Sequence, residues 1–404
     1  MGDVQSDAQL PEVAGFRFAG IAAGIKNGGE LDLGLVAADG PVATAAVFTE
    51  NQVRAAPVEL SAARLERGRA QAVLVNSGNA NACTGKAGDR AARETTGAVA
   101  DALGIDPAMV LPASTGVIGE PLPAERIVQA VPRLVAALSP GGAADFARAI
   151  LTTDRGSKTA HRRVAVARNR QATVLGIAKG AGMIHPRMAT TLAFVVTDAP
   201  MHSSFLRRAL RQATDRSFNR VTVDRETSTN DTIVAMASGR VQAEALRGSG
   251  PEARKFMDAL AGVLEELAKQ VVADGEGAAH LVRVEVVGAP SEEAACKVAE
   301  RVATSLLVKT ALHGCDPNWG RIIAAAGMAG VAFDPSKVEI RFDDVIVARK
   351  GLAVGQVAEA AARQVMQRPE YTLRLRIGPG RARGHHYTCD LGHEYVRINA
   401  DYRT

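Results

Sequence analysis

Residues 179–196, KGAGMIHPRMATTLAFVV, combine residue types that could carry out acyl chemistry. Glycines and a proline precede two adjacent threonines, Thr190 and Thr191, and the apolar run that follows is typical of a buried strand. A threonine hydroxyl is a weak nucleophile until a base removes its proton. If the chain is cut directly before Thr190, the new α-amine can be that base, because its ordinary pKa is about 7.7–8.0. A plain loop entering a buried strand explains the same spacing, and spacing alone favours that simpler interpretation.

A second segment, ASTGVIGE at 113–120, could supply hydrogen-bond donors for the oxyanion that forms in acyl transfer. It places Thr115 and Gly116 next to each other, and a glycine allows the backbone to approach a ligand closely. An ordinary turn or helix cap explains this segment equally well when it is taken alone.

Other kinds of site are less well supported. The run GNANACTGK at 78–86 resembles a phosphate-binding loop, but it has six residues between its glycines and an alanine after the lysine. The four cysteines are far apart, and His385-His386 is the one close pair among eight histidines. We therefore expect no metal site and no cofactor.

Composition narrows the class of protein further. The net charge of +5 is scattered and aromatic residues make up 4% of the chain, which argues against a nucleic-acid partner. The sequence has no apolar run as long as a membrane span and no signal-peptide core at its N-terminus. Together with the unpaired cysteines, these features predict a cytoplasmic protein with no membrane partner.

The pattern of apolar residues predicts a mixed α/β (α+β) fold. Helical spacing occurs at 205–213 and 256–271, and alternation typical of strands occurs at 281–288, 338–342 and 371–378. Ser291 is a plausible cap for a helix running toward Leu307. The break near Gly288 predicts a boundary between residues 1–288 and a smaller C-terminal α/β domain at 289–404.

Several segments in order resemble the ornithine acetyltransferases, also called glutamate N-acetyltransferases. The resemblance runs nearly from end to end of the chain. It is carried by GFRFAGIAAGIK (15–26), VFTENQVRAAPV (47–58), VNSGNANACTG (75–85), STGVIGE (114–120), KGAGMIHPRMATTLAF (179–194), STNDT (228–232), DGEGA (274–278), LVKTALHGCDPNWGR (307–321) and YVRINADYRT (395–404).

This resemblance implies that residues 1–288 form a catalytic, layered αββα core, similar in layout to the N-terminal nucleophile hydrolases, and that the domain at 289–404 contributes residues to the substrate site. It implies that the precursor cuts itself between Ala189 and Thr190, giving an α chain (1–189) and a β chain (190–404). Thr190 is then the nucleophile, and Thr115 and Gly116 form the oxyanion hole. The positions that match substrate-contacting residues of the family are Thr152, Lys179, Thr190, Glu276, Asn399 and Thr404.

The implied reaction moves the acetyl group of N2-acetylornithine to glutamate through an acyl-threonine, with neither cofactor nor metal. Lys179 could neutralise a substrate carboxylate, and Glu276 could pair with the ornithine ammonium. The two chains of one precursor are expected to stay together as an αβ unit, paired as α2β2. The small-molecule partners are the two amino-acid substrates.

Some positions depart from the usual family pattern, and they leave alternatives open. A related enzyme acting on a different amino acid, an amidohydrolase or aminopeptidase that hydrolyses the acyl-threonine, and an uncleaved binding protein are the competing hypotheses. The departures are Arg155, Ser157, Thr191, Arg225, Glu226, Ala279, His280 and the run at 384–388.

Overall fold

The computed structural model describes residues 10–185 and 191–401. Within these residues, two mixed β-sheets carry helices packed against them, which confirms the predicted α/β class. Ala189, Thr190 and Thr404, three of the predicted site residues, lie outside the described residues.

The strands and helices alternate irregularly along the chain. The strands are β1 (Phe16–Ile21), β2 (Leu33–Phe48), β3 (Arg69–Asn79), β4 (Val110–Val117), β5 (Lys158–Ala167), β6 (Arg170–Lys179), β7 (Leu192–Thr197), β8 (Val221–Thr222), β9 (Thr232–Ala237), β10 (Leu281–Ala289), β11 (Glu339–Phe342), β12 (Val345–Arg349), β13 (Leu352–Ala353), β14 (Glu370–Arg376) and β15 (Ala382–Cys389). The α-helices are α1 (Ala56–Arg64), α2 (Gly85–Leu103), α3 (Ala124–Ala136), α4 (Ala143–Ala149), α5 (Ser203–Arg216), α6 (Pro251–Ala273), α7 (Glu292–Ala303), α8 (Leu306–His313), α9 (Trp319–Gly327), α10 (Gln356–Met366) and α11 (His393–Asp401).

The first sheet has eight strands in the order β4-β3-β2-β9-β7-β6-β5, with β1 paired to β2. β7 lies in its interior, parallel to β9 and antiparallel to β6, and every residue of β7 is buried. A strand buried on both faces reads as a continuous apolar run rather than an alternating one. The sequence prediction of a buried strand after the threonines is therefore confirmed.

Helices α5 and α6 cover one face of this sheet through the apolar stripes that their spacing predicts. The predicted residues of both helices are buried in one hydrophobic core with β7 and β9, and the rings of Phe205 and Phe256 lie 6.0 Å apart. A helix buries such a stripe when apolar residues recur every three or four positions. The buried residues of the two stripes are Phe205, Leu206, Ala209, Leu210, Ala213, Phe256, Leu260, Val263, Leu264, Leu267 and Val271.

The second sheet has seven strands in the order β13-β12-β11-β14-β10-β15-β8. Helix α6 also contacts its strands β10 and β15, where the Tyr387 hydroxyl donates a hydrogen bond of 2.9 Å to Glu265. Strand β10 pairs with both β14 and β15 and continues through residue 288 to Ala289. The domain division at 288 thus falls within a strand of this sheet, and the division remains a prediction.

Helix α7 ends earlier than the sequence predicts. Ser291 caps its start as expected, accepting a 3.1 Å hydrogen bond from the Ala294 N–H. The helix stops at Ala303, and Ser305 then caps a separate helix, α8, by accepting from the Val308 N–H at 3.4 Å. A serine oxygen that satisfies free N–H groups favours a new helix start over continuation. Over the part of the chain that is described, no helix is both long and apolar enough to cross a bilayer.

Candidate active site

Lys179, the last residue of β6, directs its side chain toward strand β4 and the loop after α4. Its Nζ donates hydrogen bonds to Thr115 Oγ1 at 3.1 Å and to Thr152 Oγ1 at 2.7 Å, and the lysine is buried. Three residues that sequence analysis assigned to the site therefore meet through one ammonium group. Burial lowers the pKa of Lys179, and the negative charge of Asp154 is the largest effect opposing this shift.

Gly116 lies beside Thr115 in β4, where the strand runs very close to its parallel neighbour β3. Its φ is +131°, and a Cβ atom on it would lie 2.3 Å from the carbonyl carbon of Gly78 and 2.5 Å from the Asn79 nitrogen. The pairing of β3 with β4 becomes irregular at Asn79, as in a β-bulge. A β-bulge changes the direction of a strand where regular pairing ends. The backbone conformation of Gly116 is nearly restricted to glycine.

Buried side-chain amides fix this edge of the first sheet. Asn230 Nδ2 donates to the carbonyls of Ala80 (2.6 Å) and Ser114 (2.9 Å). Ser114 Oγ in turn donates to Asn76 Oδ1 at 2.6 Å. Buried polar groups that are all satisfied hold a unique geometry, because breaking one bond leaves an unpaired group in an apolar interior. The Thr115–Gly116 pair is thus anchored through Ser114, the residue that precedes it.

Asp154 anchors the basic part of the site, although sequence analysis did not single it out. Its buried carboxylate accepts hydrogen bonds from the N–H of Gly180 (2.6 Å) and of Thr152 (3.0 Å) and contacts the Lys158 ammonium. Lys179 Nζ lies 3.9 Å from it. Burial raises the pKa of Asp154, but the charges of Lys179 and Lys158 outweigh this and hold the pKa well below its usual range.

Another part of the pocket lining is acidic. Glu276 lies in the loop after α6, where its N–H donates to the Ala181 carbonyl at 2.9 Å, and its Oε2 accepts from Asn399 Nδ2 at 2.8 Å. Asp224 accepts from the N–H groups of Met183 (2.6 Å) and Ile184 (2.8 Å). Burial raises the pKa of Asp224 despite these bonds.

These groups surround one pocket of about 880 Å³ of empty space, counted out to its open mouth. Thr191, which follows the predicted nucleophile in sequence, lines it, and the Thr191 carbonyl accepts a 3.1 Å hydrogen bond from the Thr232 N–H. The predicted site residues that line the pocket are Thr115, Gly116, Thr152, Lys179, Glu276 and Asn399. Their roles remain predictions, but the fold brings all six together from five separate parts of the chain.

The pocket also has lining residues that sequence reasoning did not assign. Asp224, Asn230, Asp231 and Tyr395 line it. Asn230 and Asp231 lie within STNDT, one of the segments that carry the family resemblance, so the motif was the available signal. Tyr395 likewise begins YVRINADYRT, another of these segments, whereas nothing in the spacing of Asp224 distinguishes it from a surface residue.

Most departures from the usual family pattern lie away from this pocket. Among the described residues, Thr191 and Glu226 are the two departures that line it. Arg155 instead binds the end of α6: its Nε donates to Asp274 Oδ1 at 2.8 Å, and its side chain is 63% exposed. The Ala279 and His280 N–H groups both donate to Asp390 at 2.8 Å. The departures thus alter supporting segments more than the pocket wall.

No cluster of three or more histidine, cysteine, aspartate or glutamate side chains suited to a metal ion occurs in residues 10–185 and 191–401. The chemistry that the described groups support is acyl transfer: one pocket holds the Thr115 hydroxyl, a fixed ammonium bonded to it, and carboxylates.

Comparisons with known proteins agree with this chemistry. The ArgJ family pattern matches residues 17–404. The arginine biosynthesis bifunctional protein ArgJ of Syntrophotalea carbinolica is 49% identical over 395 residues, covering 98% of this chain and 100% of that protein. The protein of the same name from Geobacter sulfurreducens is 49% identical over 392 residues, covering 97% and 100%.

Among solved structures, the crystal structure of the Bacillus halodurans arginine biosynthesis bifunctional protein is similar, with 40% identity and a TM-score of 0.50. It covers 52% of this chain and 98% of its own. The ornithine acetyltransferase of Mycobacterium tuberculosis, solved with ornithine, is 42% identical, covers 43% and 93%, and has a TM-score of 0.39. Because the family pattern and the two bacterial relatives match nearly the full length, the chain belongs to the ArgJ family.

Proposed function

We propose that this protein is an ornithine acetyltransferase of arginine biosynthesis, which moves the acetyl group of N2-acetylornithine to glutamate. One observation carries the proposal: the Lys179 ammonium hydrogen-bonds Thr115 beside the close-packed Gly116, in a pocket lined by Thr191. The residue before Thr191 in sequence is Thr190, the proposed nucleophile. The names of the bacterial relatives, arginine biosynthesis bifunctional proteins, support the same activity.

Activation begins with cleavage of the Ala189–Thr190 peptide bond, which frees the α-amine of Thr190 to act as a base. A peptide nitrogen cannot accept a proton, so the uncut chain has no such base. The match with the Bacillus halodurans chain supports this step, because that chain matches over 98% of its length yet covers only 52% of this one. If a precursor is cut near its middle, the solved structure of one product chain has about half the length of the precursor.

The reaction then proceeds in two half-reactions. The Thr190 hydroxyl attacks the acetyl carbonyl while its proton moves to the α-amine, and Thr115 and the Gly116 N–H donate to the oxyanion. The C–N bond breaks, ornithine takes the proton as it leaves, and an acetyl ester of Thr190 remains. The amine of glutamate attacks this ester, and N-acetylglutamate departs as Thr190 recovers its proton.

The charges of the pocket support a substrate that is charged at both ends. The Lys179 ammonium can bind an α-carboxylate with the one N–H that it does not give to Thr115 and Thr152. Glu276 and Asp224, which line the same pocket, offer carboxylates to the side-chain ammonium of ornithine. Charge-assisted hydrogen bonds of this kind are about twice as strong as neutral ones.

We expect the two chains of one precursor to stay together and to pair as α2β2, and we expect the enzyme to act in the cytoplasm. The family resemblance supports the assembly, and the names of the relatives, arginine biosynthesis bifunctional proteins, are consistent with the cytoplasm. Size measurement of the purified enzyme together with an intact-mass spectrum tests the assembly.

The decisive test combines intact mass and product analysis. In denaturing mass spectrometry after brief exposure to N2-acetylornithine, two fragments ending at Ala189 and starting at Thr190 are expected, the second heavier by one acetyl group. Addition of glutamate should discharge that acetyl group as N-acetylglutamate. Free acetate formed equally with and without glutamate would instead identify an amidohydrolase, and a single unmodified chain would overturn the proposal.

A further inference from the structure

The hydrogen bonds of Lys179 determine which way the Thr115 hydroxyl can donate. An ammonium has three N–H donors and no acceptor, so in the 3.1 Å contact the Thr115 oxygen must be the acceptor. The Thr115 proton then has to point elsewhere. Among residues 10–185 and 191–401, the Thr115 hydroxyl has no hydrogen-bond acceptor, and Thr115 lines the pocket. Among the described residues, no acceptor therefore competes with a bound acyl group for this proton.

A neutral Lys179 would reverse this arrangement. An amine has a lone pair, so it could accept the Thr115 proton and turn it away from the pocket. One donor of the oxyanion hole would then be lost. Loss of one such donor typically lowers kcat by about 10²–10³-fold. The protonation of Lys179 thus controls the direction of the Thr115 hydroxyl bond.

Asp154 is the group best placed to keep Lys179 protonated. Its carboxylate lies 3.9 Å from Lys179 Nζ, is buried, and is fixed by the Gly180 and Thr152 N–H groups. Other charges also act on Lys179: Asp231 and Glu276 favour its charged form, and Lys158 opposes it. Asp154 has the largest effect of these charges, and burial of Lys179 acts against it.

We propose that Asp154 is a positioning residue for acyl transfer, which holds the Lys179 ammonium against Thr115 so that the Thr115 hydroxyl donates to the reacting acyl oxygen. This inference rests on the proposed acetyltransferase function. It extends the role of Lys179 from contact with substrate to control of the oxyanion hole, acting through Thr115 rather than on the substrate directly.

The experiment is a pH profile of kcat for acetyl transfer, in wild-type enzyme and in Asp154→Asn. Activity rises with pH as the Thr190 α-amine becomes neutral, and it falls again as Lys179 loses its proton. Asp154 raises the pKa of Lys179, so its removal must lower that pKa and move the falling limb to lower pH. At pH values between the two falling limbs, Asp154→Asn should lose up to about 10²–10³-fold in kcat relative to wild type, and above both limbs the two enzymes should converge.

Asp274→Asn is the matched control, because Asp274 is the second carboxylate that contacts Lys158. The substitution removes the same type of charge from the same cluster. Asp274 itself is not among the residues that contact Lys179. Its falling limb should coincide with that of wild type. If Asp154→Asn acted only by weakening the cluster, the falling limb would shift alike in both variants. That result would overturn the proposal.

Lys179→Arg supplies a second test that leaves Asp154 intact and applies even if Asp154→Asn fails to fold or to cleave itself. A guanidinium stays charged at all accessible pH values, so the falling limb should disappear. A falling limb that persists in Lys179→Arg would overturn the assignment to Lys179. Absence of acetyl transfer in the wild-type enzyme would instead refute the proposed function, so the two failures are distinguishable.

Discussion

Replacement of Gly116 by alanine is the perturbation whose cost follows most directly from the structure. The new Cβ would lie 2.3 Å from the Gly78 carbonyl carbon and 2.5 Å from the Asn79 nitrogen. Both are backbone atoms of β3, so no side chain can turn aside. Forcing extra atoms into a packed site costs about 1–3 kcal/mol. The backbone at φ +131° adds about 1–3 kcal/mol for a residue with a Cβ.

Together these terms predict a loss of about 2–6 kcal/mol in the free energy of unfolding. Because domains are stable by about 5–15 kcal/mol, the variant should fold but be clearly weakened. Relief of the overlap requires β4 to move away from β3, which displaces both the Gly116 N–H and Thr115. Such a displacement should lower kcat by about 10²–10³-fold, the typical effect of a lost oxyanion donor.

Gly119→Ala is the matched control within the same turn. Gly119 also has a positive φ, of +85°, but a Cβ on it meets nothing within 4 Å. It should therefore carry only the backbone strain and lose less stability than Gly116→Ala. The assays are the thermal midpoint at one scan rate and the rate of acetyl transfer from N2-acetylornithine to glutamate. Equal losses of stability and rate in the two variants would refute the argument from close strand contact.

Three further substitutions test other parts of the site. Gly182→Ala places a Cβ 2.3 Å from Glu276 Oε2, a flexible carboxylate end, so KM for N2-acetylornithine should rise while the thermal midpoint changes little; an unchanged KM in steady-state assays contradicts this. Asp154 has a folded pKa below its unfolded value of about 3.9, so the stability it contributes is present above that pH and is lost as the pH falls toward the folded pKa. In Asp154→Asn the urea midpoint should therefore depend less steeply on pH below about 5 than in wild type, and an equal slope counts against the charge network. Thr190→Ala should leave one uncut polypeptide without transferase activity in an intact-mass spectrum, whereas two fragments would place the cleavage elsewhere.

Regular elements with a strong apolar period were predictable from the sequence. The stripes of α5 and α6 and the apolar run of β7 all appear where their spacing places them. The boundary between α7 and α8 was not predictable from period, because helical residues lie on both sides of it. There the Ser305 cap decides the outcome, and a single cap contributes only about 1 kcal/mol.

The sequence by itself determined the candidate chemistry of this protein. The order of its motifs identified Thr190, Thr115, Gly116 and Lys179 as parts of an acyl-transfer site, because local residue types and the family resemblance are both properties of the chain. It also determined that a buried strand follows the threonines.

Only the tertiary structure decided how those residues are held. Asp154 lies in a turn, yet its carboxylate is buried near Lys179 and contacts Lys158. Lys158 also binds Asp274, which lies more than a hundred residues further along the chain. The close contact of Gly116 with β3 and the pairing of Glu276 with Asn399 likewise join distant segments. Charge burial and strand separation depend on what packs nearby in space, and residue spacing along a chain carries no direct record of that.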